Sequence, residues 1–172
     1  HTSFLQQMPI FHTRHEKIPF LMPLAFESFD FKKYDLVISV TSEAAKGIIT
    51  DGNTKHICYC LTPTRYLWSG YKTYFPSKTK QVLTKPIIKY LRSWDKVAGK
   101  RPDHMIAISK AVQRRIKKYY GRESEIIYPP ADIKKYKDSK KAKEFFLVVS
   151  RLVPYKRVDL AIEVFNKLGL PL

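Results

Sequence analysis

Glycine, cysteine and acidic residues are scarce in this chain, and long apolar runs are missing from it. Of its 172 residues, 6 are glycine, 2 are cysteine and 15 are Asp or Glu. No apolar run approaches the ~18 residues that a bilayer-spanning helix requires. No signal-peptide pattern follows His1, and no segment repeats along the chain. The sequence therefore predicts neither a membrane span nor a repeat protein.

The two cysteines, Cys58 and Cys60, lie two residues apart in a predicted strand, so their side chains face the same side. A disulfide between such close neighbours would be strained, and the sequence has no second pair to complete a zinc site. Buried, reduced thiols remain as the interpretation, and no metal site is predicted. Reduced thiols suit a reducing compartment, which favours the cytoplasm.

Basic residues dominate the charge, because 32 Lys plus Arg give a net charge of +17. The most basic stretch begins at Lys110 and ends at Lys143, with 12 Lys or Arg against 4 Asp or Glu, a balance of +8. It is either a solvated helix face with a flexible junction or a docking surface for anionic lipid headgroups. A nucleic-acid-binding protein without catalysis is the alternative class. Against it, aromatic residues lie mainly in apolar runs, and no RNA-binding or zinc-finger signature is present.

Apolar segments alternate between strand and helix patterns, which predicts an α/β fold with a Rossmann-like parallel sheet. One predicted helix is capped by Ser109 and stopped by Gly121. Another spans 80–100, and its predicted inner face consists of Ile87, Leu91, Trp94 and Ala98. The predicted strands are 35–40, 56–60, 104–108 and 125–128.

The pair Pro129-Pro130 and the lysine-rich stretch after it mark a boundary, because two prolines extend neither a helix nor a central strand. The predicted organisation is a partial Rossmann-like domain at 1–130, a linker at 131–143 and the start of a second domain at 144–172. In that last part, the apolar run 145–149 predicts a strand that is covered on both faces.

Two cations follow that run, immediately before a predicted helix. Arg151 and Lys156 lie five residues apart, and Pro154 interrupts the loop between strand and helix. Ligands of open α/β sheets bind at the carboxyl ends of strands, and helix N-termini favour anions. A guanidinium fork and an ammonium in this position predict a diphosphate site, and the alternative is a solvated basic loop.

Further candidate residues follow the predicted strands of the first domain. Thr62 and Arg65 come after one strand, and we expect them to face a cleft where Arg65 meets an anionic ligand. Alternatively, Arg65 pairs with a nearby carboxylate. Thr41 and Lys46 follow another strand and are candidates for lining the acceptor side, although helix capping alone would account for Thr41.

Five segments in order resemble the mannosyltransferase-like members of glycosyltransferase family 4, and together they span nearly the whole chain. The segments are 34–39 (YDLVIS) with 45–47 (AKG), 56–60 (HICYC) with 62–68 (TPTRYLW), 93–95 (SWD), 108–110 (ISK) with 120–122 (YGR), and 127–132 (IYPPAD) with 151–162 (RLVPYKRVDLAI).

This resemblance implies a partial GT-B architecture, made of the back half of the N-lobe and the first βα unit of the C-lobe. Because the chain opens at His1 and stops at Leu172, directly after a helix, we expect it to be a fragment that is inactive alone. The resemblance also implies that a glutamate pair, which holds the donor, lies beyond Leu172. The catalytic residues are therefore unknown from these 172 residues.

The implied activity is that of a hexosyltransferase of class EC 2.4: retaining, metal-independent transfer of a hexose, with mannose as the expected sugar, from a nucleotide-sugar to a lipid-linked or polysaccharide acceptor. The resemblance implies that Arg151 and Lys156 neutralise the charge of the departing diphosphate. The nucleotide-sugar is a substrate, so no cofactor is expected, and no nucleic-acid partner is expected either. Leu61 departs from the pattern, since the family usually has His there. The expected location is cytoplasmic, including the inner face of the membrane.

Overall fold

The computed structural model describes residues 2–7, 18–135 and 143–172. Residues 136–142 of the predicted linker, and of the basic stretch 110–143, lie outside the described residues. The chain divides into two compact units, His1–Pro129 and Pro130–Leu172. The helices and strands are α1 Met22–Glu27, β1 Leu36–Thr41, β2 Lys55–Cys60, α2 Tyr71–Tyr74, α3 Lys78–Ala98, β3 His104–Ala107, α4 Lys110–Tyr120, β4 Glu125–Ile126 and α5 Val158–Leu168.

The larger unit contains a four-stranded sheet in the order β1-β2-β3-β4, and each neighbouring pair is parallel. Helices α2 and α3 connect β2 to β3, α4 connects β3 to β4, and a segment with the 3-10 turn Ala44–Gly47 connects β1 to β2. Parallel neighbours require such crossovers, because the chain must return to the same end of the sheet before the next strand begins. The predicted α/β fold with a Rossmann-like parallel sheet is therefore confirmed. The carboxyl ends of all four strands lie at one edge of this sheet.

One face of the sheet forms the core of the larger unit. Because side chains alternate along a strand, every second residue of β2 and β3 points toward α4. Cys58 and Cys60 are both fully buried on this face. Burial raises the pKa of the Cys60 thiol to about 12, so both sulfurs belong to the apolar core. The residues of this core are Cys58, Cys60, Met105, Ala107, Val112, Ile116 and Tyr120.

Helix α4 has the predicted start and stop. The Ser109 hydroxyl accepts a hydrogen bond from the Val112 N–H at 3.3 Å. At the other end, Gly121 adopts a φ of 66°, and its N–H donates to the Lys117 carbonyl at 3.0 Å. A left-handed residue at this position is least costly as glycine. Local sequence therefore fixes both ends of α4.

Helix α3 has the predicted length of 21 residues but begins and ends two residues earlier than predicted. Ile88, Leu91 and Ala98 are its buried apolar side chains, whereas Ile87, which was predicted to face inward, is 41% exposed. Leu91 and Ala98 thus lie on the inner face as predicted, and Ile88 takes the place predicted for Ile87. None of the helices in the described part of the chain combines the length and apolar character needed to cross a bilayer.

The smaller unit corrects one prediction, because the run 145–149 is not a strand. Its five side chains are between 43% and 85% exposed, and no strand occurs among the described residues after position 129. The contacts of Phe146 hold the run in place: its N–H donates to the Pro171 carbonyl at 2.9 Å, and its ring lies 4.8 Å from that of Phe165. A strand is stable only when a neighbouring strand forms backbone hydrogen bonds with it, and the apolar composition of the run does not supply that neighbour.

Candidate functional site

Lys46, which was predicted to line an acceptor surface, is buried in the core of the larger unit. It lies in a 3-10 turn, Ala44–Gly47, shortly after β1. Its Nζ forms an ion pair with Asp95 Oδ1 at 2.6 Å, and both side chains are only 1% exposed. Nζ also donates to the Glu43 carbonyl at 2.5 Å and to Thr64 Oγ1 at 3.1 Å. All three ammonium protons therefore have acceptors.

Three further side chains donate hydrogen bonds to the Asp95 carboxylate. The Thr64 hydroxyl donates to Oδ1 at 2.8 Å. Trp68 Nε1 and the Tyr120 hydroxyl donate to Oδ2 at 2.7 Å and 3.0 Å. Burial and the nearby Asp95 charge raise the pKa of Tyr120 well above its ordinary value, so this hydroxyl keeps its proton. We call these five side chains, Lys46, Thr64, Trp68, Asp95 and Tyr120, the buried Lys46 network.

The buried Lys46 network joins four separate parts of the chain: the turn after β1, the loop after β2, helix α3 and helix α4. Its members come from the short segments AKG, TPTRYLW, SWD and YGR. A buried ion pair persists only where its hydrogen bonds are satisfied. The network thus links these four segments: TPTRYLW supplies Thr64 and Trp68, and each of the others supplies one member.

Thr41 is also buried, and it does not cap a helix. It is 7% exposed, and its hydroxyl accepts a hydrogen bond from the Glu43 N–H at 2.8 Å. This local bond turns the chain at the end of β1 and places Lys46 over the sheet edge. In this structure Thr41 and Lys46 support the turn, and neither side chain lines an open surface.

The exposed part of the sheet edge is formed by the loop after β2 and by α4. Arg65 is exposed, Leu61 is 37% exposed, and Thr62 is half-buried. Arg115 of α4 donates from Nη1 to Thr62 Oγ1 at 3.4 Å, which brings a second guanidinium to this edge. Sequence reasoning missed Arg115, although its place on α4, five residues after the first helical residue Lys110, could have suggested a cation near the carboxyl end of β3. The Thr62 hydroxyl and the Arg115 guanidinium, with Arg65 exposed in the same loop as Thr62, can bind an anionic or hydroxyl-rich ligand.

In the smaller unit, Arg151 and Lys156 both contact Tyr155. Arg151 Nη2 donates to the Tyr155 hydroxyl at 3.0 Å, and Lys156 Nζ lies 5.7 Å from the centre of the Tyr155 ring. Both cations are exposed, and the 3-10 turn Pro154–Lys156 places them immediately before α5. The structure thus brings the two predicted donor-site cations to the same aromatic side chain.

The residue that joins this turn to α5 has an unusual backbone conformation. Arg157 has a φ of 50°, the only positive value at a non-glycine residue in the described part of the chain. Its Nε donates to both carboxylate oxygens of Asp159 at 3.2 Å, and the hydrogen bond from Arg157 lowers the pKa of Asp159. Such conformations are strained and are concentrated at functional sites. Here a third cation lies at the start of α5, with its own carboxylate partner.

His56 is a buried histidine at the opposite end of its strand from this edge. It is 1% exposed, and its Nε2 shares a hydrogen bond of 2.8 Å with Ser39 Oγ. Its Nδ1 has no hydrogen-bond partner among the described residues. Burial lowers the pKa of His56 to about 4, with a smaller contribution from the Arg122 charge, while Asp103 acts in the opposite direction. His56 is therefore a neutral core residue.

Stability of the larger unit should fall in mild acid because of His56. With a folded pKa of about 4 against about 6.5 when unfolded, only the unfolded state gains the proton between these values. The free energy of unfolding should therefore decrease as pH falls from 6.5 toward 4, by about 2 kcal/mol between pH 7.5 and pH 5. Urea denaturation at both pH values measures the difference.

The matched control for this pH dependence is His104, an exposed histidine on β3. Exchange of His56 for Gln should remove most of the decrease, whereas His104→Gln should retain it. An equal decrease in all three proteins would mean that other groups cause it.

Two places in the chain are thus equipped for binding: the open sheet edge of the larger unit, and the Tyr155 turn of the smaller unit. The first presents Thr62, Arg65 and Arg115, and the second presents Arg151 and Lys156. Guanidinium and ammonium groups favour phosphate-bearing ligands at both. Comparison of this chain with protein-family models, with curated proteins and with solved structures found no match.

Proposed function

We propose that this sequence is part of a retaining glycosyltransferase that moves a hexose from a nucleotide-sugar to a lipid-linked or polysaccharide acceptor without a metal ion. Mannose is the proposed sugar, and the cytoplasm, including the inner face of the membrane, is the proposed location. The observation that carries the proposal is the approach of Arg151 and Lys156 to the same residue, Tyr155, directly before a helix.

Chemistry of the donor explains why two exposed cations would suffice for this role. The glycosidic bond breaks as the nucleoside diphosphate leaves, and negative charge grows on its phosphate oxygens. A guanidinium can bind two of these oxygens at once, and an ammonium can approach a third. Fixed cations at the developing charge lower the barrier in the same way as a bound metal ion. In this proposal Tyr155 is a positioning residue, because it contacts both cations.

Acceptor binding is assigned to the open sheet edge of the larger unit. Arg65 and Arg115 supply charge there, and Thr62 supplies a hydroxyl. Leu61 occupies the position where the resemblance implies His, and its side chain can neither donate nor accept a hydrogen bond. No general base is therefore assigned to these 172 residues, and the remaining catalytic groups are proposed to lie elsewhere in a longer chain.

The decisive experiment is an assay of the full-length protein with a panel of nucleotide-sugars, including GDP-mannose, in the presence of excess EDTA. We expect transfer or slow donor hydrolysis to continue with EDTA, because the two cations replace the metal ion. Loss of turnover in EDTA and recovery on addition of Mg²⁺ would contradict the metal-independent mechanism. Failure to bind any nucleotide-sugar, together with tight binding of duplex DNA, would favour the nucleic-acid-binding alternative.

A further inference from the structure

Helix α3 has two apolar sides, and only one of them contacts the core. Ile88, Leu91 and Ala98 form the buried side. Leu83, Ile87, Tyr90 and Val97 follow one another at spacings of four, three and seven residues, so they lie along a second side. Their exposed fractions are 71%, 41%, 51% and 56%. We call these four residues the outer stripe; Val82, 69% exposed, lies beside it.

A row of lysines runs along α3 on a different side from the outer stripe. Lys78, Lys85, Lys89 and Lys96 recur at spacings of seven, four and seven residues and form a row along a third side of α3. The stretch 78–90 contains four lysines and no acidic residue. The single acid of the helix, Asp95, is buried against Lys46. The solvent-facing part of α3 therefore carries both the outer stripe and a row of positive charge, and the helix has no exposed acidic residue to balance that charge.

Contacts on the inner side hold α3 firmly in place. Gln81 Nε2 donates to the Phe75 carbonyl at 2.7 Å, and Arg92 Nε donates to the Leu67 carbonyl at 2.7 Å. The Arg92 guanidinium also lies 4.9 Å from the centre of the Tyr71 ring. A fixed helix can present the outer stripe to a partner without ordering a segment first, which would weaken binding.

We propose that the outer stripe and its lysine row dock this protein on a bilayer that contains anionic lipids. Aliphatic side chains gain free energy by entering the boundary between headgroups and acyl chains, and lysines gain it beside anionic headgroups. Tyr90 suits that boundary, since its ring is apolar and its hydroxyl is polar. A nucleic acid would attract the lysines through its phosphates but would offer no apolar surface to Leu83 and Ile87.

Helix α4 provides a contrast, because its charge comes without exposed apolar residues. Its cations Lys110, Arg114, Lys117 and Lys118 are exposed, whereas its apolar residues Val112, Ile116 and Tyr120 face the core. The basic stretch 110–143 was the sequence prediction for a lipid-binding surface. Of these two helices, α3 combines large exposed apolar side chains with lysines, the two features that interfacial binding uses, whereas residues 136–142 of the basic stretch lie outside the described residues.

Sedimentation with vesicles tests the proposal on the folded protein. Vesicles of phosphatidylcholine with about 30 mol % phosphatidylglycerol should bind the protein at about 0.15 M salt, and pure phosphatidylcholine should bind it weakly. The Leu83→Asn/Ile87→Asn variant and the Lys85→Gln/Lys89→Gln variant should each weaken binding at least about tenfold. The matched control is Lys117→Gln/Lys118→Gln, which removes the same charge from α4 and should change binding less than about threefold.

A tryptophan reporter separates insertion from simple charge attraction. The emission of a Leu83→Trp variant should shift to shorter wavelength on binding and be quenched by brominated lipid, whereas a Lys118→Trp variant should show neither change. Circular dichroism confirms that each variant is folded. This test does not depend on the proposed transferase activity.

Several outcomes would overturn the docking proposal. They are no binding to anionic vesicles, equal losses in the α3 and α4 lysine variants, unchanged binding by the Leu83→Asn/Ile87→Asn variant, or equal affinity for duplex DNA. A concentration-dependent dimer that the same asparagine substitutions disrupt would assign the outer stripe to a second copy of the chain instead.

Discussion

Replacement of Asp95 by Ala should lower the free energy of unfolding of the larger unit by about 3 to 5 kcal/mol. The substitution leaves the Lys46 ammonium buried at 1% exposure without its counter-charge. It also removes the acceptor of the Trp68 and Tyr120 donors, and each buried donor left unpaired costs about 1 to 3 kcal/mol. Domains of this size are stable by only about 5 to 15 kcal/mol, so the variant should be close to unfolding.

Guanidinium denaturation followed by tryptophan fluorescence measures this loss. Trp68 bonds directly to Asp95, and the Trp94 ring lies 6.0 Å from Lys46 Nζ, so both reporters sense the network. Glu123→Ala is the matched control, because it removes a carboxylate that pairs with Lys117 at the surface and is 78% exposed. Pairs of that kind contribute less than about 1 kcal/mol.

The Lys46→Met variant tests whether the two charges act as a pair. Without Lys46, Asp95 still accepts hydrogen bonds from Thr64, Trp68 and Tyr120, so this loss should be smaller than that of Asp95→Ala. The double variant should be more stable than the sum of the single losses predicts, by more than about 1 kcal/mol. If Asp95→Ala is as mild as Glu123→Ala, the network does not hold the fold.

The parallel sheet was predictable because its signals are local. Buried strands alternate with helices, and Ser109 and Gly121 mark the ends of α4 as their own chemistry dictates. The run 145–149 carries the same apolar signal as those strands, yet it forms none. A strand forms only when a second segment pairs with it, and the composition of the first segment does not indicate whether that second segment is present.

The position of Lys46 could not be predicted from its own neighbourhood. Its partner Asp95 is 49 residues away, so no local pattern connects the two. A signal was nevertheless present on α3, because Asp95 falls on the same face as Leu91 and Ala98. A single carboxylate within an apolar stripe requires a buried partner, and the basic residues in loops after strands are the candidates for it.

Arg151→Ala should lower kcat/KM for the nucleotide-sugar by about 100- to 1,000-fold in the full-length enzyme, if Arg151 binds the departing diphosphate. The expected loss is large because the guanidinium meets charge that develops only as the bond breaks, and such interactions contribute about 3 to 4 kcal/mol to the barrier. Lys156→Ala should cause a loss of the same order. Arg151→Lys should not restore full activity, since an ammonium cannot bind two oxygens in one plane.

Lys167→Ala is the matched control, because it removes one positive charge from the same unit at a side chain that is 75% exposed and paired with Glu163. Its kcat/KM should remain within about twofold of the unchanged enzyme.

Tyr155→Phe separates binding from positioning. It removes the hydroxyl that accepts from Arg151 but keeps the ring beside Lys156. It should therefore reduce kcat/KM less than Arg151→Ala, and nucleoside diphosphate inhibition should weaken in the same order. Equal activity of Arg151→Ala and Lys167→Ala would contradict the assignment of the donor diphosphate to this turn. Loss of a cation that contacts the leaving group must slow the departure of that group.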